Sequence, residues 1–215
     1  MMVKLRHIWL AMVIKIVQKI SSKEVVIEGN NYFVSENVFN PKYFYTSELM
    51  LANMQIKDGS IVLDMGTGSG VLAIEAAKKA SVVFAADISK EAIKIARKNA
   101  ELNGINNIKF LQSDLFSSLP HIKFDVILFN PPYLDLKPKS IFDCAICDYE
   151  KRTIKRFLKE AKDYLKENGH IEIAYSSIAD PYVVMEYAKS IGWKVEKIAE
   201  KKIFGEKLYV FRLIP

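Results

Sequence analysis

The sequence predicts an α/β protein, a doubly wound and mostly parallel sheet of seven strands that ends in an antiparallel hairpin. Three observations carry this. From residue 61 onward, short apolar runs alternate with amphipathic stretches of helical period, the order expected where each strand is followed by a crossover helix. A glycine loop, Gly66-Thr67-Gly68-Ser69-Gly70, follows the first run and opens directly into a helical segment. The last two apolar runs are separated only by a turn at Gly205. At 215 residues, half of them hydrophobic, the chain is long enough for one well-buried core and too apolar for a disordered polymer. It carries no internal repeat and no low-complexity tract.

In chain order, residues 1–39 read as a basic amphipathic helix with a lead-in, and residues 40–215 as the main domain. Ile8 to Ile14 is nearly continuous apolar sequence, while Lys4, His7, Ala11, Lys15, Gln18 and Ser22 fall on one stripe at helical spacing. Interrupted by Lys15 and Lys19, this segment is too short to span a bilayer and lacks the pattern of a cleaved signal. It is expected to pack against the domain or a partner, with attachment to a membrane surface as the other option. Strand Ile61–Asp64 then feeds the glycine loop and a helix over 71–77. Strand Val82–Ala86 precedes a helix from Lys90 to Asn103, stopped by Gly104. Strands follow at Ile108–Leu111 and Val126–Phe129. A helix is expected from about Tyr149 to Lys166, with Gly169 separating it from strand Ile171–Tyr175. Another helix starts near Pro181, and the hairpin runs over Trp193–Lys202 and Lys207–Leu213.

The chemistry is written at the strand ends. Asn130-Pro131-Pro132-Tyr133 follows Val126–Phe129; neither proline offers a backbone donor and both rings stiffen the turn. The Asn130 amide oxygen and the Pro131 carbonyl make a rigid acceptor pair beside the Tyr133 ring. That cup suits a planar –NH2 group whose lone pair must be freed for attack. Upstream, the glycines at 66, 68 and 70 are spaced G-x-G-x-G rather than the G-x-G-x-x-G of dinucleotide-binding folds. Asp87, with Ile88 beside it, closes the second strand, where a carboxylate can accept two hydrogen bonds from ribose hydroxyls. Asp114 and Leu115 follow the third strand. There the acid is either a ligand for an adenine amino group, with Leu115 on the ring, or an ordinary surface-loop carboxylate.

Together these motifs resemble the S-adenosylmethionine-dependent class I methyltransferases with an Asn-Pro-Pro-Tyr motif, over roughly residues 40–215. The resemblance implies a Rossmann-like fold, in which the terminal hairpin is typical. It implies that Asp64, Gly66, Thr67, Gly68 and Gly70 hold the methionine end of the cofactor, Asp87 the ribose, and Asp114 with Leu115 the adenine. Asn130 and Pro131 would orient the amine, with Pro132 and Tyr133 completing the catalytic cup. Val38-Phe39-Asn40-Pro41, Thr46-Ser47-Glu48-Leu49 and the tail Ala199 to Leu208 are similar to the HemK-related glutamine methyltransferases, in their compact archaeal and eukaryotic branch. That branch implies a glutamine of a class I translation release factor as substrate and a small zinc-binding activator subunit covering an apolar surface. One departure stands out: no glycine occurs between Gly104 and Gly169, where family members often carry a glycine-rich stretch after the cup.

The same cup would serve an exocyclic amine of RNA or DNA, and the basic N-terminus is compatible with that. A non-catalytic scaffold of the same fold is opposed by the intact glycines and Asn130. The resemblance favours a protein substrate, and charge is informative once located. Lys4, Arg6, Lys15, Lys19 and Lys23 precede the first acid, Glu24, and account for most of the net +6. The remainder is nearly neutral, unlike a dedicated nucleic-acid binder. The bases of the helix beginning at Tyr149 are interspersed with acids and read as a solvated face. Cys144 and Cys147 form a lone C-x-x-C without matching histidines, read as small buried or loop cysteines, or else a redox pair; no metal is expected. A cytoplasmic enzyme is the expectation.

Overall fold

The structure is a computed structural model that describes residues 2–43, 45–203 and 205–215, without the side chains of residues 2–4 and 43. Phe204 of the tail motif, and the side chain of Lys4 in the N-terminal stripe, lie outside the described residues. Helix α1 (Met2–Ile20) precedes a small hairpin, β1 (Glu24–Ile27) and β2 (Asn30–Phe33), and helix α2 (Tyr45–Asn53). The chain then runs β3 (Ile61–Met65), α3 (Val71–Ala77), β4 (Val82–Asp87), α4 (Lys90–Leu102), β5 (Ile108–Gln112) and β6 (Phe124–Phe129). It continues with α5 (Ile141–Cys144), α6 (Arg152–Glu160), β7 (Leu165–Ser176), α7 (Pro181–Ser190), β8 (Lys194–Ile203) and β9 (Glu206–Ile214).

Seven strands form one sheet in the order β5-β4-β3-β6-β7-β9-β8. Strands β3 to β7 are parallel, and β9 enters antiparallel between β7 and β8. The central strands read as unbroken apolar runs because both sheet faces are covered. On one face Leu63, Phe84, Ile127, Tyr175 and Phe211 pack with Phe157 of α6 and Met185 of α7. On the other, Val62, Val83, Val126, Leu128 and Val210 pack with Met50 of α2 and Leu72 and Ala76 of α3.

Two expectations are corrected. The helix expected from Tyr149 to Lys166 is shorter: a 3-10 turn at Tyr149–Lys151, α6 proper, and a second 3-10 turn at Ala161–Tyr164. Gly169 does not separate helix from strand but lies inside β7, where the register against β6 shifts. A Cβ there would come within 2.8 Å of the Phe124 carbonyl oxygen, so the glycine marks close strand approach rather than a stop. Helix α1 packs as expected, in an orientation that the pattern alone does not give. It packs on the domain with the polar stripe inward: His7, Ala11 and Gln18 are buried together with Ile14. The broad apolar face is turned outward, with Trp9 64% and Ile20 78% exposed.

Candidate active site

Parallel register assembles the site. Met65 pairs with Ala86 on one side and Phe129 on the other, and Asp87 pairs with Gln112. The loops leaving β3, β4, β5 and β6 therefore emerge along one edge of the sheet. Residues from all four line one cleft, at the point between β3 and β6 where the strand order reverses. Gly66, Thr67, Gly68, Asp87, Ile88, Asp114, Leu115, Asn130, Pro131, Pro132 and Tyr133 line it, whereas Asp64 and Gly70 support it from beneath.

Asp64 ends almost fully buried because β3 is central. Its Oδ2 accepts hydrogen bonds from the Thr67 hydroxyl at 2.6 Å and the Ala73 amide at 3.1 Å, stitching the glycine loop to α3. Its Oδ1 is buried with no partner. Burial pushes this carboxyl up to about 7, against the opposing pull of the two hydrogen bonds. Gly70, at φ 85°, lets the start of α3 meet α4: a Cβ would lie 3.1 Å from that of Ala96. Asp87 accepts from the amides of Gly68 at 2.9 Å and Ser89 at 2.8 Å. Burial raises its carboxyl above the ordinary range, and these backbone donors pull it back.

Asp114 is an exposed loop acid, paired across the cleft edge with a base. Its Oδ2 accepts from Arg156 of α6 at 2.8 Å, and the same guanidinium donates to the Asp114 carbonyl oxygen at 2.8 Å. Leu115 is buried in the cleft wall with φ 50°, a left-handed conformation that costs a leucine roughly 1–2 kcal/mol. Ser113 holds it there, donating to the Leu115 carbonyl oxygen at 2.7 Å and accepting from the Ser118 amide at 3.0 Å.

Where β6 meets the cleft, the Asn130 Nδ2 donates to Ser47 Oγ at 3.0 Å and to Thr46 Oγ1 at 3.4 Å, both on α2. With the –NH2 side engaged by two hydroxyls, Oδ1 is the group left to a ligand. Tyr133 packs 5.8 Å from the Tyr175 ring, and burial pushes its phenol above the ordinary range. The segment after it closes on itself: the Leu134 amide donates to Ile146 O at 2.9 Å and the Asp148 amide to Leu134 O at 2.8 Å. Asp148 then caps α6 through the amides of Thr153 and Ile154. The segment is thus held by backbone hydrogen bonds and the Asp148 carboxylate, without a glycine. Cys144 and Cys147 are free and both line the cleft; burial raises both thiols, Cys147 to about 11, which keeps them protonated and poorly nucleophilic. Among the described residues no group of three or more His, Cys, Asp or Glu side chains is placed to hold a metal ion.

The model of the methyltransferase small domain matches residues 31–204. The chain belongs to this family. This methyltransferase is 37% identical over 193 residues to a protein of Methanocaldococcus jannaschii named as a protein N5-glutamine methyltransferase, covering 86% of this chain and 96% of the relative. It is 36% identical over 201 residues to the release factor glutamine methyltransferase of Leptospira interrogans, covering 83% of this chain and 68% of the relative. Of the corresponding Francisella tularensis enzyme it spans only about half the length, 49%. Among solved structures, the Mtq2-Trm112 complex of E. cuniculi, described as responsible for methylating the termination factor eRF1, shares the fold, with TM-score 0.61 and 23% identity over 83% of this chain and 98% of that one.

Several lining residues of the methyltransferase carried no assigned role in the sequence reading. Thr46 and Ser47 stood only in a stretch of family resemblance; two adjacent hydroxyls at the start of a helix are the signal that marks them. Val38 and Ile14 also line the cleft, Ile14 from the N-terminal helix. Ile14, an apolar residue amid an apolar run, offers no signal of that kind, and Val38 stood only in the other stretch of resemblance.

Proposed function

We propose that this methyltransferase methylates the side-chain amide nitrogen of a glutamine in a translation release factor, using S-adenosylmethionine. The observation that carries the reading is Asn130, whose –NH2 is held by Ser47 and Thr46 so that its oxygen faces outward as an acceptor. The glutamine-specific names of the relatives support an amide over a nucleobase amine. The E. cuniculi complex supports a small partner subunit in the same reading.

The residues fit the cofactor. Asp64 keeps a buried, unpartnered carboxylate oxygen suited to an ammonium. Asp87 accepts from the backbone amides of Gly68, Ser89 and Ile88, and a carboxylate with about four lone-pair sites keeps capacity for a ribose hydroxyl. Ile88 and Leu115 offer apolar surface to a ring. When bound, S-adenosylmethionine supplies a methyl group activated by its sulfonium.

The chain supplies position and electrostatics. A glutamine amide is a weak nucleophile because its nitrogen lone pair is delocalised. Accepting its two N–H bonds at Asn130 Oδ1 and the Pro131 carbonyl localises electron density on nitrogen and aims it across the cleft. Positive charge grows on that nitrogen in the transition state, so both acceptors bind it more tightly there than in the ground state. Tyr133 walls the planar group. No strong base is required, because the proton becomes acidic once the nitrogen is alkylated.

The test is methyl transfer from labelled S-adenosylmethionine into cell extract, with and without nuclease. The expected label sits on a protein that survives nuclease and yields N5-methylglutamine on hydrolysis; label lost with nuclease overturns the reading.

A further inference from the structure

Helix α1 lies before the first residue matched by the family model, yet it is built into the site. Its inward side is fixed by polar bonds. His7 joins the Ile178 carbonyl oxygen at 3.1 Å and accepts from the Asp135 amide at 3.0 Å. Gln18 donates to the carbonyl oxygens of Ser35 and Val38 and accepts from the Asn40 amide. Lys15 pairs with Asp143 at 2.6 Å. The helix therefore grips the acceptor segment 134–148 at two points, Asp135 and Asp143, while Ile14 lines the cleft.

Held this way, α1 turns Leu5, Ile8, Trp9, Met12, Ile16 and Ile20 outward, every one of them between 48% and 78% exposed. At this spacing they form one stripe along the helix, and a contiguous exposed apolar patch marks an interaction site. On the cleft's lip, exposed Ile141 lies in the segment that Lys15 and Ile14 hold against the helix, and Ile88 is a second exposed apolar lining residue. The flanks are cationic: Arg6, Lys19, Lys137 and Lys139 are exposed, and residues 1–23 contain no acid.

We propose that this ridge and lip are the docking surface for the protein that delivers the glutamine, through an apolar patch rimmed by acidic side chains. The inference rests on the glutamine-methylation reading. Contiguity with the cleft selects the substrate as occupant, because a side chain entering the cleft brings its parent surface over the helix that forms one wall. A second copy is disfavoured: two ridges face to face would juxtapose cationic flanks with no acid to offset them.

The double variant Trp9→Ser, Met12→Ser changes exposed side chains only. Steady-state kinetics would be compared on an intact class I release factor and on a short peptide carrying its glutamine. The expected result is a KM for the intact factor raised about tenfold or more with kcat held, and unchanged kinetics on the peptide. Equal kinetics of variant and parent on the intact factor overturn the docking surface while leaving the glutamine reading intact. An equal loss on factor and peptide overturns it too, as a structural effect. If the parent enzyme methylates neither, with cell extract added as a source of the partner subunit, the glutamine reading falls and the docking surface with it. Sedimentation of the parent enzyme with anionic phosphatidylglycerol vesicles, or as a dimer, abolished in the variant, would assign the ridge to lipid or to a second copy instead.

Discussion

Asn130 works through its neighbours. Truncation in Asn130→Ala removes an acceptor that binds the developing charge, so kcat is expected to fall by about 2–4 kcal/mol of barrier while cofactor affinity stays nearly unchanged. Single-turnover rates beside calorimetric binding separate the two. Ser47→Ala leaves the amide free to turn, and a smaller fall in kcat, restored in Ser47→Thr, is expected from the 3.0 Å bond that now fixes it. Asp87→Ala should weaken S-adenosylmethionine binding by about 1.5–3 kcal/mol, the scale of a charged hydrogen-bond partner; an unaltered dissociation constant would move the ribose contact elsewhere. Asp64 gives a pH signature. Its folded carboxyl titrates near 7, well above its ordinary value, so the folded state holds a proton that the unfolded chain releases. That contribution is complete below about pH 4 and is lost as pH rises through 7, at most about 4 kcal/mol. The cofactor-free protein should therefore melt at lower temperature at pH 8 than at pH 5, and Asp64→Asn should flatten the dependence. A slope unchanged in the variant would refute the assignment.

At the scale of elements, the strands and the crossover helices α3 and α4 were legible because burial on both faces leaves long apolar runs punctuated by glycine. Where other forces decide, the sequence misleads. Gly169 looks like a terminator but answers to the carbonyl of Phe124 across the sheet, a contact no local pattern reveals. The polar stripe of α1 looks like a solvent face, yet His7 and Gln18 bury because backbone groups at Ile178, Ser35, Val38, Asn40 and Asp135 meet them. The hairpin β1–β2 and the helices α2 and α5 carry too little periodicity to stand out. The glycine loop offers a test at this scale. Gly70 and Gly104 both have positive φ, but an added Cβ is crowded only at Gly70. Gly70→Ala should cost about 1–3 kcal/mol more than Gly104→Ala by denaturant midpoint. Equal losses would show that backbone conformation, not α3–α4 packing, sets the requirement.

Across the whole molecule, strand order turns scattered motifs into a site. The chain builds β3, β4 and β5 outward, then returns to lay β6 on the other side of β3. Motifs far apart in sequence, Gly66-Thr67-Gly68 and Asn130-Pro131, thereby leave neighbouring strands at Met65 and Phe129. That adjacency sets the proposed cofactor loop beside the proposed acceptor cup, and α1 walls the remaining side. The most direct measurement is mass spectrometry of a purified class I release factor after incubation with S-adenosylmethionine and either the parent enzyme or Asn130→Ala. The account predicts a single added methyl on one glutamine, present with the parent and nearly absent with the variant. A factor left unmodified by the parent, or a glutamine methylated equally by both, would contradict it.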